Sequence, residues 1–193
     1  MFMNDRLSEY VKEIEKFSLE DFQKARIKKI SKTLKNEIKS CNSIVYICTH
    51  NSRRSQFYQV WSQILSDIYK LNLSFQSAGV IKTEVYVEVI RSLKRAGVDI
   101  DENGTMLINK KQVPLFSKCL QEINLKAFIS MMTCSDAEKS CPIDPRSKKN
   151  INLFYPDPKR FDRTKNEIKE YDFTCKSIAA EINAIFKLLV NSI

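Results

Sequence analysis

Histidine is almost absent from this chain of 193 residues, in which His50 is the only one. A metal site built from several histidines is therefore excluded. We also expect any nucleophile in this chain to be activated by something other than a distant histidine. Glycine is also scarce, with three residues, whereas cysteine is not. The six thiols make sulfur chemistry the first chemistry to examine, and we expect neither a metal nor a cofactor.

Signals for export and for membrane insertion are also missing. The cysteines form no CxxC pair, and the N-terminal stretch MFMNDRLSEY has neither the apolar segment nor the cleavage site of a signal peptide. The richest apolar segment, AEINAIFKLLV, is shorter than the roughly 18 residues needed to span a bilayer. We therefore expect a cytoplasmic protein with reduced thiols and no membrane partner.

The charge of the chain is biased toward positive. Lys and Arg number 32 and Asp and Glu number 23, which gives a formal net charge of +9. Such a surface attracts phosphate, other oxyanions or an acidic partner, but it does not choose between them. The lysines within residues 24–39 could contact nucleic acid. Because a charge run on an amphipathic helix is usually its solvated face, we expect no nucleic-acid partner.

Residues 4–40 contain neither glycine nor proline, and their apolar side chains recur at intervals of three and four. This spacing predicts helices. Ser18 and Asp21 resemble a capping box, so we predict a first helix through about Glu15 and a second from Leu19.

The rest of the chain alternates strand patterns with helix patterns. The apolar runs SIVYI, LSFQSAG, AFISMMT and INLFY predict four strands, and helical spacing follows the first, the second and the last of them. This order predicts an α/β fold, in which a four-stranded parallel sheet carries helices on both faces. We assign residues 1–40 to an N-terminal helical extension packed on the core and residues 41–193 to the domain that contains the sheet.

The segment C-T-H-N-S-R-R-S, residues 48–55, joins the first predicted strand to the following helix. Successive backbone N–H groups at such a junction can point into one cavity and bind an anion. The helix N-terminus and an adjacent arginine favour the thiolate form of Cys48 without histidine as its base. Arg54 can hold two oxygens of a tetrahedral oxyanion, and the Ser55 hydroxyl can stabilise the thiolate. We prefer this interpretation to Cys48 as a buried strand residue.

Asp157 lies between Pro156 and Pro158, directly after the last predicted strand. The two prolines stiffen this loop, which suits a positioned general acid. An ordinary turn aspartate explains the residues alone equally well.

The segment M-T-C-S-D-A-E-K-S-C-P places Cys134 and Cys141 seven residues apart. This spacing is too long for a CxxC redox motif and unsuited to zinc, so we favour a switchable dithiol over two incidental cysteines. If the intervening residues are helical, disulfide formation requires local unwinding. Cys41, Cys119 and Cys175 fit no motif and are predicted to be packing residues.

The stretch V-Y-I-C-T-H-N-S-R-R-S-Q, the S-A-G at 77–79 and the Asp157-Pro158 pair resemble the low-molecular-weight protein tyrosine phosphatase superfamily. The resemblance covers about residues 43–190. It implies that Cys48 attacks the phosphorus atom, that Arg54 binds its equatorial oxygens and that Asp157 protonates the leaving group.

The same resemblance implies roles for the whole loop. Its oxyanion-binding residues would be Thr49, His50, Asn51, Ser52, Arg53, Arg54 and Ser55. Asn51 and Ser55 would also hold the loop's shape and contact the thiolate. His50 stands where the family usually has glycine, a replacement that a left-handed backbone tolerates better for histidine than for most residues. Arg53 stands where many members of the family have a second cysteine, and it is expected to add charge at the mouth of the site.

The C-S-D-A-x-x-x-C-P stretch is similar to the thioredoxin-coupled arsenate reductases of this superfamily. The similarity implies that Cys48 attacks arsenate, that Cys134 attacks the adduct and releases arsenite, and that Cys141 then takes over the disulfide for reduction by thioredoxin. The alternative is a phosphatase acting on phosphotyrosine proteins, in which Cys134 and Cys141 are spectators or protect Cys48. A non-catalytic anion-binding module is a third hypothesis.

Overall fold

The fold is that of a computed structural model, which describes residues 4–108, 111–135 and 144–191. Along the chain the elements are α1 (Asp5–Glu15), α2 (Asp21–Glu37), β1 (Ser43–Cys48), α3 (Arg54–Ile68), β2 (Ser74–Gly79), α4 (Val87–Arg95), β3 (Thr105–Ile108), β4 (Lys111–Pro114), β5 (Phe128–Met132), β6 (Ser147–Asn152) and α5 (Glu167–Val190). Short 3-10 turns cover Leu120–Glu122 and Pro158–Phe161. None of the helices in these ranges is long and apolar enough to cross a membrane.

Four parallel strands form the central sheet in the order β2-β1-β5-β6. The predicted α/β fold with a four-stranded parallel sheet is therefore confirmed. β1 is an inner strand, and five of its six side chains are buried, as expected for a parallel strand covered on both faces. Ile47 of β1 lies opposite Met132 of β5, so the carboxyl ends of these two strands meet at one edge of the sheet.

The prediction of the last strand was wrong in its position, since β6 ends at Asn152 whereas the apolar run INLFY continues to Tyr155. β6 is an edge strand with mostly exposed side chains, so its sequence SKKNIN carries little apolar signal. The antiparallel pair β3–β4 was not predicted. Its strands have four residues each, which is too short for a clear period-two pattern.

The N-terminal helices share the main hydrophobic core with the sheet and α5. The ring of Tyr10 in α1 stacks on that of Trp61 in α3, with centroids 5.3 Å apart. Gly97 follows α4 at φ 92°, and a Cβ there would lie 2.4 Å from the backbone nitrogen of Leu7, so α1 packs directly against this turn. The first helix ends at Glu15 as predicted, but the capping box of α2 uses Glu20 and Gln23 rather than Ser18 and Asp21.

The closing helix α5 contains 24 residues and confirms the predicted C-terminal helix. Its buried apolar side chains recur at intervals of three and four along one side: Tyr171, Cys175, Ile178, Ile182, Ile185, Phe186 and Leu189. Helices α1, α2, α3 and α4 all contact α5. This helix therefore joins the N-terminal helices to the layer that carries the Cys48 loop.

Candidate active site

Cys48 is the last residue of β1 and is buried beneath the loop that leads into α3. Its Sγ lies 3.0 Å from the Ser55 hydroxyl and accepts the Asn51 backbone N–H at 3.1 Å. Helix α3 begins six residues later, at Arg54, so the positive end of its dipole faces the same loop. Donors to sulfur and a helix N-terminus both stabilise a thiolate, which suits Cys48 as a nucleophile.

Asn51 gives the loop its shape. Its backbone is left-handed at φ 49°, a conformation that asparagine adopts more readily than most residues. The side chain donates from Nδ2 to the Ser55 hydroxyl at 2.9 Å and accepts the Lys118 N–H through Oδ1 at 2.9 Å. The left-handed residue is thus Asn51 and not His50. The His50 carbonyl instead accepts hydrogen bonds from the hydroxyls of Thr83 and Ser117, at 2.9 and 3.0 Å.

Gly79, at the end of β2, supports the same loop from below. An added Cβ would lie 2.7 Å from the Ile81 carbonyl oxygen, 2.8 Å from the Asn51 nitrogen and 3.0 Å from the His50 carbonyl carbon. All three atoms belong to the backbone and cannot rotate away. The strand therefore has room for only a hydrogen at the position where it meets the loop.

Gly79→Ala will displace the Cys48 loop and lower the free energy of unfolding by about 2 kcal/mol, the usual cost of overpacking a core. Urea unfolding measures the stability change, and alkylation of Cys48 measures the change in the loop. Ser77→Ala in the same strand is the control, because the Ser77 hydroxyl is buried and forms no hydrogen bond with any residue that the structure describes. Equal stability and equal Cys48 reactivity in Gly79→Ala and the parental protein would contradict the close contact.

Arg54 lies at the first position of α3 and is nearly buried. Its Nη1 donates to the Tyr155 carbonyl at 2.9 Å and more weakly to the Thr133 carbonyl at 3.4 Å. Its Nη2 contacts Asp157 Oδ2 at 2.5 Å. The structure therefore brings Asp157 to Arg54, in the segment that follows Cys48, although 103 residues separate Arg54 from Asp157. The second oxygen of Asp157 accepts the Lys159 N–H at 3.1 Å, which orients the carboxyl group.

Arg53 does not fulfil the expectation of added charge at the mouth. Its guanidinium forms an ion pair with Asp162, donates from Nε to the Tyr171 hydroxyl at 2.6 Å and lies over the Tyr86 ring at 4.3 Å. The Tyr171 hydroxyl in turn donates to Asp162 at 2.6 Å. The charge of Arg53 is therefore neutralised in a network that ties α3 to α5, and Nη1 of Arg53 makes one weak hydrogen bond to the loop, to the Ser52 hydroxyl at 3.4 Å.

Cys134 follows β5 and lies against the Cys48 loop. Its Sγ is 3.6 Å from the hydroxyl oxygen of Thr49, the residue next to Cys48, and both cysteines belong to one small apolar cluster. The parallel pairing of β1 with β5 explains this position, because Thr133 donates its N–H to the Ile47 carbonyl at 2.8 Å. Cys141 lies outside the described residues.

Sequence reasoning missed the residues that hold the loop from other elements. Gln56 donates to the Asn51 carbonyl at 2.9 Å, while Thr83, Ser117 and Lys118 contact His50 or Asn51. Their positions depend on the tertiary fold and carry no local signal. Over the ranges that the structure describes, no cluster of His, Cys, Asp and Glu could hold a metal ion.

No protein-family model matches the chain. Arsenate reductase 2 of Staphylococcus epidermidis is 32% identical over 133 residues, which are 66% of this chain and 90% of the relative. Arsenate reductase of Staphylococcus aureus strain Newman matches with the same identity and the same shares.

Two solved structures show the same fold. The structure of an arsenate reductase in the oxidized state superposes with a TM-score of 0.53 at 14% identity, covering 76% of this chain and 98% of that chain. The solution structure of a low molecular weight protein tyrosine phosphatase from Bacillus subtilis gives 0.52 at 15% identity, over 76% and 96%. With the sequence relatives and the loop geometry taken together, the chain belongs to the arsenate reductase family and has the fold of the low-molecular-weight protein tyrosine phosphatases.

Proposed function

We propose that this protein reduces arsenate to arsenite through a thiol relay from Cys48 to Cys134 to Cys141. The observation that carries the proposal is the contact of Cys134 with Thr49 at 3.6 Å, which places the second sulfur beside the loop of the first. Relatives named arsenate reductase support the choice of substrate. A reductant of the thioredoxin type and reduced thiols go with a cytoplasmic location.

In the first step the Cys48 thiolate attacks the arsenic atom and displaces one oxygen. Backbone N–H groups of residues 49–53 and the guanidinium of Arg54 bind the remaining oxygens. The Arg54 guanidinium lies 2.5 Å from the Asp157 carboxylate. An oxyanion bound to Arg54 is therefore next to the Asp157 carboxyl group. Asp157 acts as the general acid and donates one proton to the departing arsenate hydroxyl, which leaves as water, and arsenic stays in its pentavalent state.

In the second step the Cys134 thiolate attacks the sulfur of Cys48. The electron pair of the sulfur–arsenic bond moves to arsenic, which leaves as arsenite, and a Cys48–Cys134 disulfide forms. Cys141 then attacks Cys134, which releases the Cys48 thiolate and leaves a Cys134–Cys141 disulfide. A dithiol of the thioredoxin type supplies the two electrons that restore both thiols.

The test is NADPH consumption by the purified protein with arsenate, thioredoxin and thioredoxin reductase. We expect consumption that depends on arsenate. Cys141→Ser will release about one arsenite per protein and then stop, because the disulfide of the second step has no resolving thiol. Hydrolysis of an aryl phosphate, measured before any arsenate is added, is the control and will stay at the parental rate.

A phosphotyrosine phosphatase needs only Cys48, Arg54 and Asp157, and the 2.5 Å contact between Arg54 and Asp157 supports this second candidate function. Rapid hydrolysis of a phosphotyrosine peptide, with no arsenate-dependent NADPH consumption and no effect of Cys141→Ser, would favour that activity over the relay.

A further inference from the structure

The segment from Leu153 to Asp157 carries the proposed general acid and is held from two sides. Toward the sheet, Leu153 donates its N–H to the Met132 carbonyl at 2.8 Å, and Tyr155 donates to the Thr133 carbonyl at 3.2 Å. The carbonyl of Phe154 accepts a hydrogen bond from Nη1 of Arg26, in helix α2, at 2.6 Å. A helix that precedes the whole sheet therefore contacts the backbone three residues before Asp157.

Arg26 is itself fixed in place by the core. Its Nη2 forms an ion pair with Glu181 of α5, whose side chain is fully buried and also accepts a hydrogen bond from Gln23. Burial raises the pKa of Glu181, and the charge of Arg26 acts in the opposite direction. Movement of Arg26 away from Glu181 would leave a buried carboxylate without its cation, which is strongly destabilising. The Arg26 guanidinium, on α2, thus contacts both Glu181 of α5 and the Phe154 carbonyl.

Two arginines hold consecutive carbonyls of this segment. Arg26 contacts the carbonyl of Phe154, and Arg54 contacts that of Tyr155 at 2.9 Å. Arg54 belongs to the loop proposed to bind the oxyanion, so its contact fixes the position of the segment relative to the substrate. The contact of Arg26 fixes the position of the same segment relative to the helical layer. Loss of either contact frees the segment that carries Asp157. The Asp157 carboxyl must lie within hydrogen-bond distance of the leaving oxygen to protonate it.

We propose that Arg26 is a positioning residue for Asp157, which makes the N-terminal helical extension part of the catalytic apparatus. This inference rests on the proposed function, in which Asp157 protonates the leaving oxygen. Arg26 acts on Asp157 only through the backbone of residues 154–157. A misplacement of about 1 Å in a catalytic group lowers rates by as much as about 100-fold, so this distant contact has a measurable effect.

The test compares two variants across aryl phosphates whose phenols range from good to poor leaving groups. Arg26→Met combined with Glu181→Met removes the contact with Phe154 and leaves no buried charge unpaired. Glu181→Gln is the matched control, because it keeps Arg26 and an acceptor for it. We expect the double variant to lose about twofold on nitrophenyl phosphate and about 20-fold on phenyl phosphate, since poor leaving groups depend most on the acid. The control will stay near the parental rates.

Asp157→Asn serves as the reference, and hydrogen exchange of residues 153–158 is measured in every variant. Faster exchange there in the double variant than in Glu181→Gln is expected. Equal exchange, or a rate loss that is the same for all leaving groups while Asp157→Asn shows the graded loss, would overturn the role of Arg26. A flat profile for Asp157→Asn would instead refute the proposed role of Asp157, and exchange still decides whether Arg26 holds the segment.

Discussion

Cys134→Ser will abolish arsenate turnover, by more than about 1,000-fold, while aryl phosphate hydrolysis stays within about threefold of the parental rate. A serine hydroxyl cannot attack the Cys48 sulfur to form a disulfide, so arsenic keeps its pentavalent state and no arsenite leaves. Phosphate hydrolysis needs only water as its second nucleophile. The same protein preparation is assayed for NADPH consumption with arsenate and for release of nitrophenol.

The position of Cys134 makes this substitution conservative for the fold. Its Sγ faces the Thr49 hydroxyl at 3.6 Å, and a serine oxygen there can keep a polar contact. Cys41→Ser is the matched control, since Cys41 is also buried and its Sγ lies near the Ser43 carbonyl, at the opposite end of β1 from Cys48. Parental arsenate turnover in Cys134→Ser would show that the second sulfur comes from elsewhere.

Arg54→Lys will lower kcat/KM for both arsenate and aryl phosphate by about 100- to 1,000-fold, the loss observed when one preorganised donor to a reacting oxyanion is removed. Lysine presents a single ammonium in place of a planar fork, so it cannot hold the Tyr155 carbonyl, Asp157 and two substrate oxygens together. Steady-state kinetics with both substrates measure the loss.

Arg53→Lys is the matched substitution one residue earlier, and its expected effect is mainly on stability. The guanidinium of Arg53 contacts Asp162, Tyr171 and the Tyr86 ring. We expect the free energy of unfolding to fall by about 1–2 kcal/mol and kcat/KM to fall by less than about tenfold. The Arg54 guanidinium contacts Asp157, whereas the Arg53 guanidinium contacts Asp162 and Tyr171. An equal loss of kcat/KM in Arg53→Lys and Arg54→Lys would contradict this difference.

The central part of the candidate site could be predicted from the sequence because it is local. Cys48, Asn51, Arg54 and Ser55 occupy one strand-to-helix junction, and the physical chemistry of that junction is contained in eight consecutive residues. The sequence predicts that Cys134 follows the third strand, but not the strand order that places β5 beside β1 and so brings Cys134 to the edge where the loop lies.

The contacts that sequence reasoning missed join positions far apart in the chain. Arg53 and Asp162 are separated by 109 residues, so nothing near Arg53 indicates that its charge is neutralised. Arg26 and Phe154 are separated by 128 residues, and in the sequence Arg26 is one cation among many on a basic helix. The edge strand β6 was displaced in the prediction because only one of its six side chains is buried.

The three cysteines outside the proposed relay are predicted to be packing residues, and two of them are buried. Cys41 and Cys175 are buried, as expected of packing residues, and burial raises the pKa of Cys175 to about 11. Cys175 therefore stays a protonated thiol at neutral pH. Cys119 is half-buried, with its Sγ 3.8 Å from the Val80 carbonyl.

The stacking of Tyr10 on Trp61 has a practical consequence, because Trp61 is the only tryptophan of the chain. Its indole N–H donates to the sulfur of Cys175 at 3.2 Å, and its other surroundings include a ring of helix α1. Fluorescence of a single indole in these surroundings reports whether α1 is docked. The protein thus carries an intrinsic optical probe of its N-terminal helices, and detachment of α1 can be followed without a label.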